Sequence, residues 1–464
     1  MVDLAFGALD ALRACVSGVV ALAGDDGFDE ACSLWNGAIT RRPAVVVRCA
    51  TTDDVAAALS FADQHRLEVS VRGGGHNYAG FAIAADGLMI DLSLMKTISV
   101  DATNRRATCG GGATWAELDA ATQEHGLAVP GGFVSHTGVG GLTLGGGFGW
   151  LSRRAGLSSD NLAGAQIVTA DGTVHMASRS ENPDLFWALR GGGGNFGVVT
   201  SFEFDLCEVG PFVHLGLFFY APEQGGDMLR FGRGFVEGLP DECGVFMAGL
   251  NAPPEAFVPE QFHYQPFYAL AVVGLGSAEH HARLIEPIRS GPSPVFEMVT
   301  PIPYAALQQM FDPAAPWGIL AYEKAVYLDE LTDAAIDVIV EHQPKKASPL
   351  SFLPIFVLGG AYARADENAT AFGGRRSTKY VVNIAAHAPT PELYDTDRTW
   401  VRAFWSDLVA HAADTGSYVN FMTDHDENRI RSAYGASKYA RLAEIKATYD
   451  PGNVFHLNVN IPPA

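Results

Sequence analysis

Positive charge is scarce in this 464-residue sequence, which has 31 Lys and Arg residues against 52 Asp and Glu residues and a formal net charge of −21 at pH 7. Nucleic acids and anionic membrane surfaces bind basic patches. We therefore expect neither nucleic acid nor a membrane as a partner. Charged residues interrupt the apolar N-terminal stretch without a preceding basic segment, which predicts no signal peptide and a cytoplasmic protein.

Several motifs of common enzyme classes are also missing. The six cysteines are scattered without a C-x-x-C pair, which favours reduced thiols over a disulfide framework or a zinc site. The sequence has no H-E-x-x-H, no G-x-S-x-G and no G-x-x-x-x-G-K-[ST]. These absences argue against a metal site, a serine hydrolase and a P-loop nucleotide-binding protein.

The chain is too long for one hydrophobic core and is expected to divide into domains. Residues 1–42 are predicted to be helical and peripheral. A Val-rich strand at 44–49, a helix opened by a capping box at 51–54, and an alternating strand at 67–72 predict a β-α-β unit. Ligands of α/β proteins bind at the strand ends of such units.

The character of the sequence changes near residue 208, where glycine clusters stop and aromatic residues become frequent. We predict an α+β fold with a first domain at 1–208, whose core begins near residue 43, and a second at 209–416. The second is expected to be an antiparallel sheet backed by helices. A terminal segment, 417–464, contains an amphipathic helix near 437–449.

Three glycine-rich tracts are the most unusual feature of the first domain. The first, residues 71–80, reads V-R-G-G-G-H-N-Y-A-G and has His76 as its only reactive side chain. Glycine lets a backbone approach a ligand closely, and free N–H groups bind anions. In the second tract, residues 130–149, nine of twenty residues are glycine, so we expect it to be held against a ligand.

The third tract, residues 190–197, contains a literal G-x-G-x-x-G. The dinucleotide fingerprint requires a helix after this motif, whereas Val198-Val199-Thr200-Ser201-Phe202 predicts a strand. A nicotinamide-binding fold is therefore not predicted. The three tracts together indicate a long ligand with a diphosphate.

Three segments resemble the berberine-bridge-enzyme-like branch of the vanillyl-alcohol-oxidase flavoproteins. They are the first tract, S-H-T-G-V-G-G-L-T-L-G-G-G-F-G at 135–149, and Y-D-P-G-N-V-F-H-L-N-V-N-I at 449–461. The resemblance implies a PCMH-type FAD-binding domain of two subdomains and a terminal segment that returns to it. It also implies that FAD is bound covalently to His76 through the 8α-methyl carbon. A loop histidine that only forms hydrogen bonds is the alternative.

Many relatives attach the flavin a second time, through a cysteine four residues before the G-V-G-G of the second tract. Val134 occupies that position here, so we expect no cysteinyl link. A plain turn is the alternative for any single glycine among the cofactor residues. The resemblance implies contacts with FAD from Arg72, Gly73, Gly74, Gly75, Asn77, Gly80, Val134, Thr137, Gly138, Gly140, Gly141, Gly145, Gly146, Gly147, Val199, Asn458 and Asn460.

Ser417-Tyr418-Val419-Asn420 resembles the Tyr-x-Asn motif of the family, whose tyrosine is the catalytic base in several members. Tyr418 and Asn420 are therefore candidate catalytic residues, with Lys324 as a source of positive charge that would favour the phenolate. A buried tyrosine with a satisfied hydroxyl is the alternative for Tyr418, and a core or surface position is the alternative for the residues of the middle domain. Tyr322, Asn383 and His387 are candidate substrate residues.

The resemblance implies hydride removal from a C–H next to an alcohol or amine of a small organic molecule, with electrons passed to O2 to give H2O2. Relatives oxidise sugars, nicotine-like or benzylisoquinoline amines, and polyketide alcohols, so the substrate stays open. A dehydrogenase with another electron acceptor and a non-catalytic drug-binding resistance flavoprotein are alternatives. A monomer or homodimer is expected.

Overall fold

The computed structural model describes residues 6–412, 416–424 and 427–464. The first sheet has a parallel core, in which Leu88–Asp91 lies between Val45–Arg48 and Val69–Arg72. The helix that connects the two outer strands begins with the predicted capping box, because Thr51 accepts from the Asp54 N–H and Asp54 accepts from the Thr51 N–H. The predicted β-α-β unit is therefore confirmed. The helices and strands of this part of the chain are α1 (Phe6–Cys15), β1 (Val19–Ala21), α2 (Phe28–Cys32), β2 (Val45–Arg48), α3 (Thr52–His65), β3 (Val69–Arg72) and β4 (Leu88–Asp91).

The expectation that residues 1–42 are helical and peripheral is wrong in two respects. Strand β1 pairs antiparallel with β2 and extends the first sheet. Trp35 is only 2% exposed, and its indole N–H donates to the Ala315 carbonyl 2.8 Å away. A large apolar ring with one buried donor is stabilised by such a distant partner, which the local sequence does not reveal.

The second sheet is antiparallel and has the strand order β5-β6-β10-β8-β9. Strand β10 begins directly after the third glycine tract, which confirms that a helix does not follow the G-x-G-x-x-G. The second tract contains one short helix of six residues, α5. The elements of this part are β5 (Ile98–Asp101), β6 (Arg106–Gly110), α4 (Trp115–Gln123), β7 (Leu127–Ala128), α5 (Val139–Leu144), α6 (Ser152–Ala155), β8 (Leu162–Val168), β9 (Val174–Ser178), α7 (Pro183–Leu189), β10 (Val198–Asp205) and β11 (Cys207–Glu208).

The third sheet is antiparallel throughout, with the strand order β15-β12-β14-β13-β17-β18-β16. Helices pack on one of its faces, and the opposite face contacts the second glycine tract through a cluster rich in Phe. The predicted α+β class with a helix-backed antiparallel sheet is confirmed. The elements are β12 (Phe212–Tyr220), α8 (Gly225–Glu237), β13 (Gly244–Asn251), β14 (Pro266–Gly274), α9 (Ala278–Ile285), β15 (Phe296–Pro303), α10 (Tyr304–Gln308), β16 (Leu320–Leu328), α11 (Asp333–His342), β17 (Leu353–Val357), α12 (Ala361–Arg364), β18 (Tyr380–Ala388) and α13 (Pro391–Leu408).

The terminal segment contains α14 (Glu427–Tyr434) and α15 (Ala436–Tyr449). Helix α15 packs with its apolar side, including Leu442 and Ile445, into the core that also contains Phe186 of α7. The chain thus returns to its first half after the third sheet. The division at 1–208, 209–416 and 417–464 stays a prediction. Within the described residues, none of the helices has both the length and the apolar character that crossing a bilayer requires.

Candidate active site

A cavity of about 370 Å³ lies between the three glycine tracts, the third sheet and the terminal segment. Its wall on the side of the third sheet is largely aromatic, whereas its opposite wall is mostly glycine backbone. Most of the predicted site residues therefore meet at one place. Those that line the cavity are Gly73, Gly74, Gly75, His76, Asn77, Val134, Thr137, Gly138, Gly140, Gly141, Val199, Asn383, His387, Tyr418, Asn420 and Asn458.

The first two glycine tracts contact each other through their backbones. A Cβ atom on Gly74 would lie 2.2 Å from the Gly138 nitrogen, so only glycine permits this contact. Gly141 and Gly194 also line the cavity, and neither has an atom within 4 Å of the place where a Cβ would stand. Bare backbone with open space beside it suits a ligand that binds close to N–H groups.

Six of the predicted cofactor residues lie outside the cavity wall. The Arg72 guanidinium points instead to the Asp91 carboxylate, 3.3 Å away, because that buried charge needs a partner. Gly80 has a positive φ of 73° in a turn against Ile39. For these positions the structure favours a structural role. The remaining four, Gly145, Gly146, Gly147 and Asn460, are not among the residues that line the cavity.

His76 is part of a histidine pair that the sequence analysis missed. Its Nε2 lies 2.6 Å from Nδ1 of His136, and its Nδ1 is 3.5 Å from the Thr137 hydroxyl. His136 also donates a hydrogen bond to the backbone of Ala315, which acts to raise its pKa. Because Nδ1 of His136 faces His76, we assign this donor to Nε2, which makes Nδ1 the acceptor for the Nε2–H of His76 and leaves the lone pair of His76 on Nδ1.

The surroundings of His76 keep its imidazole neutral. The ring stacks on Trp35 with a centroid distance of 5.2 Å, and the edge of Trp317 approaches it at 5.6 Å. Burial, together with the neighbouring His136, lowers the pKa of His76 well below its usual value. A neutral imidazole is the nucleophilic form, and its Nδ1 lone pair meets only the long contact with the Thr137 hydroxyl among the described residues.

Tyr418 is buried in the aromatic wall of the cavity, where its ring packs against Phe148 and Phe421. Its oxygen accepts two hydrogen bonds. The Gly147 N–H donates over 2.9 Å and the Asn420 side-chain amide over 2.8 Å. Burial raises the pKa of Tyr418, while both donors act in the opposite direction by stabilising the phenolate. Both lone pairs are used, so the oxygen can still donate its own proton.

The expected roles of Lys324 and Tyr322 are wrong, because both side chains leave β16 on the face that the helices cover. Lys324 Nζ lies 4.6 Å from the ring centre of Trp405, and Tyr322 donates to Asp424 at 2.5 Å. Burial lowers the pKa of Lys324 to about 8. In a strand, side chains alternate between faces, so residues 322 and 324 point away from the cavity together.

The same alternation places Glu323, which the sequence analysis missed, on the cavity side of β16. Its carboxylate accepts from the Asn383 side-chain amide at 2.7 Å and interacts with the phenol of Tyr78. Tyr78 lies 3.1 Å from Nε2 of His387. Asn383 and His387 thus face the cavity as expected. Period-two alternation identifies Glu323 once packing has shown which face of β16 meets the cavity. Tyr78 belongs to the first glycine tract, two residues after His76.

Comparison with known proteins agrees with this arrangement. A family model described as "FAD binding domain" matches residues 43–178, and one described as "Berberine and berberine like" matches residues 417–462. The two matches cover the glycine tracts around the cavity and the segment that contains Tyr418. The chain therefore has an FAD-binding domain.

Whole-length relatives extend the comparison to the middle of the chain. An FAD-linked oxidoreductase of Dictyostelium discoideum is 31% identical over 92% of this chain and 91% of its own length. (R)-6-hydroxynicotine oxidase of Paenarthrobacter nicotinovorans is 30% identical over 97% of both chains. The crystal structure of 6-hydroxy-D-nicotine oxidase from Arthrobacter nicotinovorans superposes with a TM-score of 0.85 and 28% identity, over 97% of this chain and 98% of that one. With FAD-binding and berberine-like segments in one chain and relatives that match more than nine tenths of its length, the protein belongs to the berberine-bridge-enzyme-like FAD-linked oxidoreductases of the vanillyl-alcohol-oxidase family.

Proposed function

We propose that this oxidoreductase is an oxidase that binds FAD covalently through His76. When bound, FAD accepts a hydride from a C–H next to an alcohol or amine of a small organic substrate. The electrons then reduce O2 to H2O2. The observation that carries the proposal is the Tyr418 oxygen, which accepts two N–H bonds on the wall of a cavity formed by the glycine tracts.

The residues around the cavity suit FAD by their chemistry. Backbone of the first tract, from Gly73 to Asn77, and of the second, at Gly138 to Gly141, provides N–H groups for the diphosphate and room for a long ligand. Val199 would contribute backbone contacts from β10. The side-chain oxygen of Asn458 lines the cavity from the terminal segment and has no hydrogen-bond partner among the described residues, as expected for a group that binds a ligand.

The geometry of the histidine pair favours attachment through Nδ1 of His76. His136 holds the Nε2–H, which leaves the Nδ1 lone pair to form the bond to the 8α carbon. Attachment would replace one methyl C–H and the imidazole N–H by a C–N bond, and the two electrons and two protons released would pass to one O2, giving H2O2. Val134 stands where a cysteine would form a second bond, so His76 is the single attachment point.

Tyr418 is the proposed base. It would take the proton from the hydroxyl or amine of the substrate as the adjacent C–H loses its hydride. Gly147 N–H and Asn420 supply the stabilisation of negative charge that we had expected from Lys324. Neutral dipoles perform this role here because the lysine lies on the other face of the sheet.

Acid precipitation tests the attachment directly. We expect purified protein to be yellow and to retain its flavin in the acid pellet. The His76→Ala variant should release all flavin to the supernatant, whereas the exposed-histidine control His125→Ala should retain it. Peptide mapping of the flavin adduct would identify the modified nitrogen. Flavin in the acid supernatant of unmutated protein would refute covalent attachment.

Reoxidation kinetics test the electron acceptor. The enzyme is first reduced under anaerobic conditions and then mixed with air-saturated buffer in a stopped-flow instrument. An oxidase regains its flavin absorbance quickly and forms one H2O2 per flavin. Reoxidation slower than turnover with an artificial quinone would instead identify a dehydrogenase.

A further inference from the structure

Tyr78, Asn383 and His387 line the cavity, and Glu323 lies directly behind Asn383. These four residues are called the acceptor cluster. Asn383 donates one amide N–H to Glu323 at 2.7 Å. His387 Nδ1 faces the Ala314 carbonyl at 3.2 Å and is therefore the donor, which makes Nε2 the acceptor for the Tyr78 hydroxyl.

Two oxygens of the acceptor cluster are poorly paired. Oδ1 of Asn383 is buried and has no hydrogen-bond partner in the described parts of the chain, and Oε1 of Glu323 has none apart from the contact of the carboxyl group with the Tyr78 phenol. Glu323 is 0% exposed and Asn383 is 4% exposed. A buried polar atom without a partner is costly, and because Asn383 lines the cavity, its Oδ1 suits a ligand that donates a hydrogen bond.

The charge of Glu323 narrows the range of ligands that this wall suits. Among the ion pairs of the described residues, none includes Glu323, and the cation next to it in sequence, Lys324, points to the other face of the sheet. On the cavity face of β16 and β18, Glu323 is surrounded by Ala321, Ala325 and Ala385 and by the uncharged Asn383 and His387, because burial lowers the pKa of His387 to about 4. Burial raises the pKa of Glu323 well above its usual value. A cation beside the carboxylate would offset the cost of this burial.

The rest of this wall is aromatic. The cavity is lined there by Phe133, Phe148, Phe352, Phe356 and Phe421. Ring faces bind apolar bodies and also attract cations. A sugar carries many hydroxyl groups that each need both donors and acceptors, and a wall of Phe side chains does not supply them.

We propose that the substrate is an amine with an aromatic or apolar body, whose protonated nitrogen is bound by Asn383 Oδ1 beside the Glu323 carboxyl group. This inference rests on the proposed function, since it names the substrate class of the same site. The Asn383 oxygen without a partner on the cavity wall, with a carboxyl group directly behind it that has no cation among the described residues, carries it. It separates nicotine-like amines from the sugars and neutral alcohols that the sequence left open.

Matched pairs of probes test the inference on the flavin-loaded protein. Benzylamine and benzyl alcohol have nearly the same shape, as do tryptamine and tryptophol, but only the amines are cations at pH 7. Dissociation constants come from the change in flavin absorbance on anaerobic titration, with thermal-shift titration as a second readout. We expect each amine to bind at least about tenfold more tightly than its alcohol, the preference that 1.4 kcal/mol gives.

Variants test whether the preference for amines over alcohols depends on Glu323. Glu323→Gln should abolish it, while the matched control Glu330→Gln, on an exposed position after the same strand, should retain it. Asn383→Asp adds a second carboxyl group and should strengthen amine binding, so the inference stays testable if Glu323→Gln does not fold. Equal or weaker binding of amines by unmutated protein, no binding of any probe, or an unchanged preference in Glu323→Gln would overturn it.

Different results would refute the amine substrate and the covalent FAD attachment. Rapid flavin reduction by a neutral sugar, with the flavin retained in acid, would refute the amine assignment and keep the oxidase. Flavin lost in acid from unmutated protein would refute the attachment to His76, while amine preference could still be measured by thermal shift.

Discussion

Replacement of Tyr418 by Phe removes one oxygen from the cavity wall and leaves the ring. Loss of a general base slows a proton-transfer step by about 10²–10⁴-fold, equivalent to about 3–5 kcal/mol of activation free energy. Stability should change less. The Gly147 N–H loses the acceptor described for it, at a cost of about 1–3 kcal/mol, whereas Asn420 retains the Leu142 carbonyl at 3.1 Å.

The assay is anaerobic stopped-flow bleaching of the flavin at saturating substrate. Tyr362→Phe is the matched control, because Tyr362 is also fully buried and donates to the Arg375 carbonyl at 2.7 Å, but it does not line the cavity. It should lose a similar amount of stability and keep its rate of flavin reduction. A rate for Tyr418→Phe within about threefold of the unmutated rate would refute the assignment of the base.

The pH dependence of flavin reduction gives a second readout of the same residue. A base acts in its deprotonated form, and burial raises the pKa of Tyr418. The rate should therefore increase with pH and should not level off below about 10, the usual value for a phenol. Tyr418→Phe should lose this slope. A plateau that begins near pH 7 in both proteins would indicate a different titrating group.

Two further predictions concern other parts of the molecule. His136→Ala should slow flavin attachment to His76 while noncovalent FAD binding persists, as in-gel flavin fluorescence over time would show; attachment at the unmutated rate would contradict the tautomer assignment. Lys446→Met should cost about 3–5 kcal/mol in thermal unfolding, because it leaves the Asp450 carboxylate buried without its partner 2.6 Å away. The exposed control Lys345→Met should cost less than about 1 kcal/mol, and equal losses would refute the reasoning.

The local features of the first half could be predicted from the sequence because their causes are local. The Thr51 capping box depends on four consecutive residues, and alternating residues identify β3. The strand after the third glycine tract also follows from its own β-branched residues. The α+β class could also be predicted from the sequence, because the glycine-rich part and the aromatic-rich part of the chain differ in composition.

The predictions for Lys324 and Tyr322 failed because they depended on which face of a strand meets which partner. Both residues lie on β16, but their sequence alone does not show which side faces the cavity. Period-two alternation offers two equivalent choices, and only the packing of α13 and its neighbours against one face selects between them. Because the helices cover one face of β16, Lys324 points away from the cavity and Glu323 lies on the cavity side.

By itself, the sequence determined the family, the glycine tracts and the reactive histidine, because these are encoded in contiguous motifs with strict backbone requirements. Which of these groups come within hydrogen-bonding distance of each other depends on the tertiary structure. His76 meets His136 across sixty residues, and Tyr418 meets Gly147 across 271. A hydrogen bond depends on distances of a few tenths of an ångström, and such distances are set by the packing of whole sheets and helices rather than by spacing along the chain.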